Sequence, residues 1–380
     1  MTWIWKEKNW PKFTWDNESL VKKSSKTTYQ LGILRGKISG SGNSTLSETQ
    51  LEAFVSEVIS TSKIEGEILE RKSVRSSIAR RLGLEDYGFT NFDRKAEGII
   101  EILSDATKNY DQKLNLERLF SWHAGLFPKG YSGISKIKSG ELRGEGPMRV
   151  VSGEFTDQIK VHFEAPPKEK IKNEMKLFLD WFNNEKVINS MDGLIRAAIA
   201  KFWFVTIHPF DDGNGRISRT ISDMALAQSE GNPNRIISLS SSFLEDISSY
   251  YNILEKSQRG DLDISEWIEW YINHLNKSIS HTEIMIDSIV KKSKFWIKFK
   301  DVNINDRQRK VINKLLDLYP KIFDGGMTNK KYASMTKSSN ITAARDLSDL
   351  LKKGLLLKGE SGGRSTYYLI NIEGLNKDIK

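Results

Sequence analysis

The chain has 380 residues, a formal net charge of +9, 38% hydrophobic residues and no cysteine. That length calls for two or three domains, and the missing cysteines exclude disulfides, thiolate metal sites and cysteine nucleophiles. No apolar run reaches the roughly 20 residues of a membrane span, since the longest, "GLIRAAIAKFWFVTIHPF", is interrupted by Arg196 and Lys201.

The N-terminal "MTWIWKEKNWPKFTWD" is rich in aromatics and places Lys6, Glu7 and Lys8 where a signal peptide needs an apolar stretch. A cytoplasmic protein without membrane contact is expected. "SGSGNSTLSETQ", Ser39 to Gln50, reads as a Gly/Ser-rich linker ending in a capping box formed by Ser47 and Gln50. Leu51, Phe54, Val55, Val58 and Ile59 then follow helical spacing, into "TSKIEGE". Further helical patterns cover Asp93 to Tyr110, Leu116 to Phe127, Lys168 to Asn184, Asp192 to Ile207, Arg216 to Ser229 and Ser242 to Arg259. Another begins near Ile264 and continues past His281. The one extended segment expected in the middle is Met148 to Phe163, a hairpin turning near Gly153 and closed by Pro166 and Pro167.

From Asp301 to Lys380 there are 15 Lys and Arg against 9 Asp and Glu, about two thirds of the chain's net charge. "INDRQRKVINKLLDLY", "TNKKYASMT" and "SSNITAARDLSDLLKKGLL" read as three helices, and "LKGESGGRSTYYLI" as two strands around a Gly-rich tip. That order and the basic excess predict a winged helix, with a generic helical interaction domain as the other reading. Arg345 and Arg364 are its candidate phosphate contacts. DNA and protein both remain open as its partner.

The stretch "HPFDDGNGRISR", His208 to Arg219, holds a chemistry that a surface loop does not need. Gly213, Asn214 and Gly215 can form a nest of backbone N–H groups for an anion, at the start of a helix whose dipole favours the same charge. Asp212 offers a hard oxygen to Mg²⁺. Arg216 and Arg219 share a helix face and can fork onto phosphate oxygens. His208 suits removal of a hydroxyl proton. His123, among Leu119, Trp122 and Leu126, reads as packed, and His162, His274 and His281 have no partners at metal-ligand spacing.

This stretch resembles the Fic family signature, His-x-Phe-x-(Asp/Glu)-Gly-Asn-Gly-Arg-x-x-Arg, through His208, Phe210, Asp212, Gly213, Asn214, Gly215, Arg216 and Arg219. The resemblance implies a mainly α fold, a Fic helical core with a β-hairpin flap, to which a C-terminal winged helix is added. It implies transfer of AMP from ATP to a Ser, Thr or Tyr hydroxyl of a target protein, with ATP as substrate and Mg²⁺ as cofactor. His208 would be the base, Asp212 the metal ligand, Phe210 an interior anchor, and Gly213 to Arg219 the phosphate site. Val151, Ser152 and Gly153 of the flap would align a target strand, and Tyr250, Tyr251 and Gln258 would lie on the adenine side. Thr61, Glu65 and Gly66 fit the family's inhibitory pattern (Ser/Thr)-x-x-x-Glu-(Gly/Asn), which would set Glu65 on Arg219 in the place of the γ-phosphate.

The expected division is residues 1–92 as aromatic segment and inhibitory helix region, 93–290 as catalytic core and 291–380 as winged helix. Three other functions stay open: removal of AMP by the same site, transfer of another nucleotide or phosphate group, and a DNA-binding regulator whose core senses nucleotide. The target protein is not legible, and a homodimer stays open.

Overall fold

Helical periodicity and the residues that break it set the element order. The computed structural model describes residues 2–84, 94–152, 160–318, 326–359 and 366–373. The helices in its first part are α1 (Asn17–Gly40), α2 (Asn43–Ile64), α3 (Arg71–Arg81), α4 (Arg94–Lys108) and α5 (Leu116–Leu126). Two small antiparallel pairs follow, β1 (Tyr131–Ser132) with β2 (Ser135–Lys136), and β3 (Arg149–Ser152) with β4 (Lys160–Glu164). Then come α6 (Lys168–Phe182), α7 (Glu185–Ser190), α8 (Gly193–Ile207), α9 (Asn214–Glu230), α10 (Leu239–Glu245), α11 (Ile247–Gln258) and α12 (Ser265–Lys298). The last part holds α13 (Asp306–Leu318), α14 (Asn329–Thr336), α15 (Asn340–Lys352), β5 (Leu356–Lys358) and β6 (Tyr368–Ile370). The fold is mainly helical, as expected.

Contacts divide the chain into two units. One comprises Met1–Gly40 and Leu46–Thr282, the other Ser41–Thr45 and Glu283–Lys380. In the second unit, Val311, Ile312, Leu315, Leu316, Ala343, Leu347 and Leu350 share one core. Helices α13 to α15 followed by the β5–β6 pair keep the predicted element order. Arg345 is exposed on α15, whereas Arg364 and the tip at residues 360–365 lie outside the described residues.

In the first unit α8 is the central helix, buried from Leu194 to Ile207. The Asp192 side chain caps it by accepting the N–H groups of Leu194 at 3.0 Å and Ile195 at 3.1 Å. It stops at His208 because the following Pro209 lacks an N–H and disfavours helical geometry in the residue before it. Helix α9 packs along it, with Ile217, Ile221, Met224 and Ala225 wholly buried.

Three expectations are corrected. The linker expected over Ser39 to Gln50 shrinks to Ser41 and Gly42, because α1 runs to Gly40 and α2 begins at Asn43, ahead of the capping box. Gly42 turns the chain at φ +88°, a conformation open to glycine. The single helix expected over Ser242 to Arg259 is two, α10 and α11, broken at Asp246 with φ −129° and ψ 51°. The hairpin β1–β2 was not anticipated. Helix α1 has no strong apolar stripe because Ser24 and Thr27 take buried positions between Leu20, Leu31 and Leu34.

The N-terminal aromatics form a brace rather than a free segment. Trp5 Nε1 donates to Glu164 O at 2.7 Å and Trp10 Nε1 to Glu174 Oε2 at 2.8 Å. Phe13 packs edge-on to Phe202 and Trp203 of α8.

A buried ionic group fixes α2 against this core. Glu57, 1% exposed, accepts from Ser238 Oγ and Ser240 N, each at 3.0 Å, and from Ser240 Oγ. Arg235 bridges Glu57 at 3.0 Å and Asp223 of α9 at 2.5 Å. Burial pushes the Asp223 carboxyl up to about 7 although Arg235 opposes it. Burial acts on Glu57 in the same direction, but Arg235 and the serines outweigh it and hold that carboxyl below its ordinary value. Removing one partner of such a group leaves a buried charge uncompensated. Glu57→Ala is expected to lower stability by about 3–5 kcal/mol in urea unfolding, and a loss under about 1 kcal/mol would show that the group does not anchor α2.

Candidate functional site

The loop between α8 and α9 is built by its own side chains. His208 ends α8 in left-handed geometry, φ 54° and ψ 58°, a conformation that costs a non-glycine residue and persists only where its surroundings enforce it. Arg143 enforces it: Arg143 Nε donates to His208 O at 2.8 Å, and Arg143 N to Pro209 O at 2.9 Å. Arg143 Nη2 reaches Pro166 O, so the same side chain ties the loop to the exit of the β3–β4 hairpin. Asn214 closes the loop, with Nδ2 donating to Phe210 O at 2.8 Å and Oδ1 accepting from Phe210 N at 3.0 Å. Asp211 accepts from Lys138 N at 2.9 Å and Gly144 N at 3.2 Å.

His123 lies beneath this loop. It is wholly buried and stacked on Phe210 at 4.3 Å between ring centroids. Its Nδ1 accepts from Gly140 N at 2.9 Å, which leaves Nε2–H to donate to Asp212 O at 3.1 Å. It is packed, as expected, and also holds the motif's backbone in place.

The His208 imidazole has a fixed polarity. Its Nδ1 lies 3.1 Å from Val205 O, a group that can only accept, so the proton sits on Nδ1 and the Nε2 lone pair is free. Burial, with Arg143 adding to it, pushes its pKa down to about 4. The ring is neutral at physiological pH. Asp212 accepts from Gly213 N at 2.5 Å and from Ser132 Oγ of β1. Among the described residues no cluster of three His, Asp or Glu side chains gathers here to hold a metal by themselves.

The start of α9 is a site for negative charge. Its N–H groups at Asn214, Gly215 and Arg216 precede the first intrahelical bond, from Ile217 N to Gly213 O at 3.0 Å. Gly213 has φ +79°, and a Cβ on it would meet Phe127 Cε2 at 2.9 Å. A Cβ on Gly215 would collide with Glu65 Oε1. The carboxylate seated at this helix end is therefore the chain's own. Glu65 Oε1 accepts from Arg219 Nη2 at 2.7 Å, while Arg219 Nε donates to Thr61 Oγ1 at 2.7 Å and Arg219 Nη2 also to Thr61 O at 3.2 Å. Burial disfavours the Arg219 cation, but Glu65 outweighs it and holds the pKa above its ordinary value. Arg216 Nη1 reaches Glu67 at 3.3 Å, and its guanidinium lies over Phe127 at 4.9 Å. Among the described residues two buried donors, Arg219 Nη1 and Arg216 Nε, form no hydrogen bond of ordinary geometry, although the Arg219 guanidinium also lies beside the Tyr250 hydroxyl.

The flanking candidates divide. In the flap, β3 pairs with β4 and, among the described residues, with no other strand, which leaves the far edge of Val151 and Ser152 open. Gly153 lies outside the described residues. On α11, Tyr251 is half-exposed and donates to Ile64 O at 3.2 Å. Tyr250 is buried and accepts from Lys201 Nζ at 2.8 Å, and buried Gln258 donates to Thr206 Oγ1 at 3.1 Å. Both face the interior. Ser132, Arg143 and the loop-holding role of His123 were not read from the sequence, because each acts through a partner more than 60 residues away.

Comparison with known proteins places this geometry. Residues 3–84 match a model described as a domain of unknown function, DUF4172, and residues 113–226 match the Fic/DOC family. The protein adenylyltransferase fic-1 of Caenorhabditis elegans is 32% identical over 125 residues, 33% of this chain and 23% of that protein. The uridine 5'-monophosphate transferase of Xanthomonas campestris pv. campestris (strain 8004) is 34% identical over 117 residues, 30% of this chain and 21% of that protein. The protein adenylyltransferase Fic of Drosophila mojavensis is 26% identical over 224 residues, 58% and 40% of the two chains. The chain thus spans less than half the length of these relatives. Among solved structures, a Fic family protein from Desulfovibrio desulfuricans G20 superposes with a TM-score of 0.51 at 16% identity, covering 92% of this chain and 95% of that one. C. elegans Fic-1 (residues 134–508) superposes at 0.50 and 20% identity, covering 72% and 75%. Through the motif at His208 to Arg219, the match over 113–226 and the shared fold, this chain is identified as carrying a domain of the Fic/DOC family.

Proposed function

We propose that this chain transfers the AMP group of ATP to a serine, threonine or tyrosine hydroxyl of a protein, itself included, and that Glu65 restrains the reaction. The observation that carries this reading is the Glu65 carboxylate on Gly215 and Arg219, in the seat an ATP phosphate would take. The residues present fit a triphosphate. Among the described residues the buried donors Arg219 Nη1 and Arg216 Nε form no hydrogen bond of ordinary geometry, and Gly213 and Gly215 leave the helix end uncovered by side chains of their own. Mg²⁺ would be held by Asp212, since that ion takes phosphates plus one or two carboxylates, and would neutralise charge on the phosphates.

In the proposed reaction the target hydroxyl loses its proton to His208 Nε2 and its oxygen attacks the α-phosphorus, as pyrophosphate leaves. Arg143 holds the His208 carbonyl and Val205 O holds Nδ1–H, so the base needs no reorientation. The open edge of β3 is suited to lining up the target by main-chain hydrogen bonds. While Glu65 stays in place, the phosphates and the carboxylate compete for the same donors.

Relatives named for adenylyl and for uridine monophosphate transfer make the choice of nucleotide the first test. With Mg²⁺ and either ATP or UTP, intact-mass measurement should show Glu65→Gly gaining AMP at least about tenfold faster than the wild type. An unchanged rate overturns the restraint, a gain from UTP alone replaces AMP with UMP, and slower loss of AMP from a modified protein reassigns the site to removal. His208→Ala in the same background should lose about 10²–10⁴-fold of the transfer rate.

The pH profile tests the base separately. A base acts while unprotonated, and a pKa depressed to about 4 keeps His208 unprotonated down to that pH. The acid limb of kcat/KM should therefore fall near pH 4; a limb near pH 6.5, the value of a free imidazole, would contradict the buried setting.

A further inference from the structure

In the second unit, α14 and α15 form a helix–turn–helix. Lys337, Ser338 and Ser339 join them: Lys337 turns the chain at φ 52°, and Ser339 Oγ caps α15 by accepting from Thr342 N at 3.1 Å. Met327, just before α14, exchanges two backbone hydrogen bonds of 2.9 Å with Tyr368 of β6, which fastens the β5–β6 pair beside the helices. Helix α15 divides its charges between two faces. Asp346 is buried and accepts from Arg307 Nε at 3.0 Å and from the Tyr332 hydroxyl at 2.9 Å. Asp349 accepts from Gln308 Nε2 at 2.8 Å and from Lys353 Nζ at 2.6 Å. The exposed residues of α15 are Asn340, Ile341, Ala344, Arg345, Ser348 and Lys352, with no carboxylate among them. Among the described residues, neither Arg345 nor Lys352 has an ion-pair partner.

We propose that α15 is the reading helix of a duplex-DNA site and lies in the major groove. This is a second function, and it does not rest on the AMP-transfer reading. A major groove about 12 Å wide admits one α-helix, and the short side chains of Ala344 and Ser348 let the axis of α15 approach base edges. Arg345 and Lys352, left unneutralised by the protein, are placed for phosphate oxygens, and Ile341, 74% exposed, for the methyl group of a thymine. Charge selects the partner. Residues 301–380 carry 15 Lys and Arg against 9 Asp and Glu, and α15 turns its own acids inward, so its outer face meets a polyanion without repulsion. A helix that docks on protein would present a contiguous apolar face, whereas Ile341 is the only large apolar side chain among the exposed residues of α15.

The test is fluorescence anisotropy of the full chain with a labelled mixed-sequence duplex of about 20 base pairs, two helical turns, in the absence of nucleotide. Binding is expected at about 50 mM salt and should weaken steeply towards about 200 mM. Arg345→Gln and Lys352→Gln, both on the surface, should each lower the salt slope by about 1, and the double variant should bind at least about tenfold more weakly at low salt. No binding at low salt overturns the proposal and leaves this face to a protein partner. Binding whose affinity and salt slope survive the double variant lies elsewhere on this basic chain and overturns it as well. Equal affinity for the single strand overturns the groove assignment. With no nucleotide present, none of these outcomes bears on AMP transfer.

Discussion

One ion pair organises the site: the Glu65 carboxylate on Arg219, at the N-terminal turn of α9. Everything around it serves to bring a C-terminal helix end, Thr61 to Gly66, against an N-terminal one. Gly66, with φ +78°, turns the chain away after Glu65, and Glu65 N and Glu67 N close the end of α2 on Ser62 O. Arg219 satisfies both partners at once, reaching a carbonyl at the end of α2 and the carboxylate beyond it. An anion is favoured at a helix N-terminus and a cation near a C-terminus, so the pair follows both helix dipoles. The Glu57–Arg235–Asp223 group, two turns earlier on α2, holds the helix that delivers Glu65.

The loop between α8 and α9 obeys a different constraint. Its histidine is held in a left-handed conformation, and its rigidity comes from hydrogen bonds between backbone and buried side chains rather than from regular structure. Arg143, Asn214, Asp211 and His123 each close one part of it. Such support holds a functional group in position without reorganisation. The flap enters the same network through Arg143 and Pro166, and the N-terminal aromatics brace its base through Trp5 and Glu164.

Local patterns were legible in the sequence. The motif from His208 to Arg219, the hairpin over Met148 to Phe163, the apolar run of α8 and the helix leading to Glu65 follow from residues close along the chain. Helix α1 was not legible, because Ser24 and Thr27 hide its buried face, and their hydrogen bonds to Asp192 and Lys23 appear only once the chain folds. Arg143, Ser132 and the hydrogen bonds joining Ser152, His162 and Glu255 had no signal, since nothing in their neighbourhoods marks them before strand pairing and helix packing bring them together. Tyr250 and Gln258, expected on the adenine side, are both buried on α11, and Tyr250 lies beside the Glu65–Arg219 pair.

If Glu65 and a terminal phosphate share one seat, removing Glu65 must act on phosphates in proportion to how far they reach. Calorimetric titration of wild type and Glu65→Gly with ATP, ADP and AMP, each with Mg²⁺, measures this without turnover of a target. A charge-assisted pair contributes about 1.5–3 kcal/mol, so ATP should bind roughly tenfold or more tightly to Glu65→Gly. AMP, which has no γ-phosphate, should change little. An equal change for all three nucleotides, or none for ATP, would contradict the competition on which this account rests.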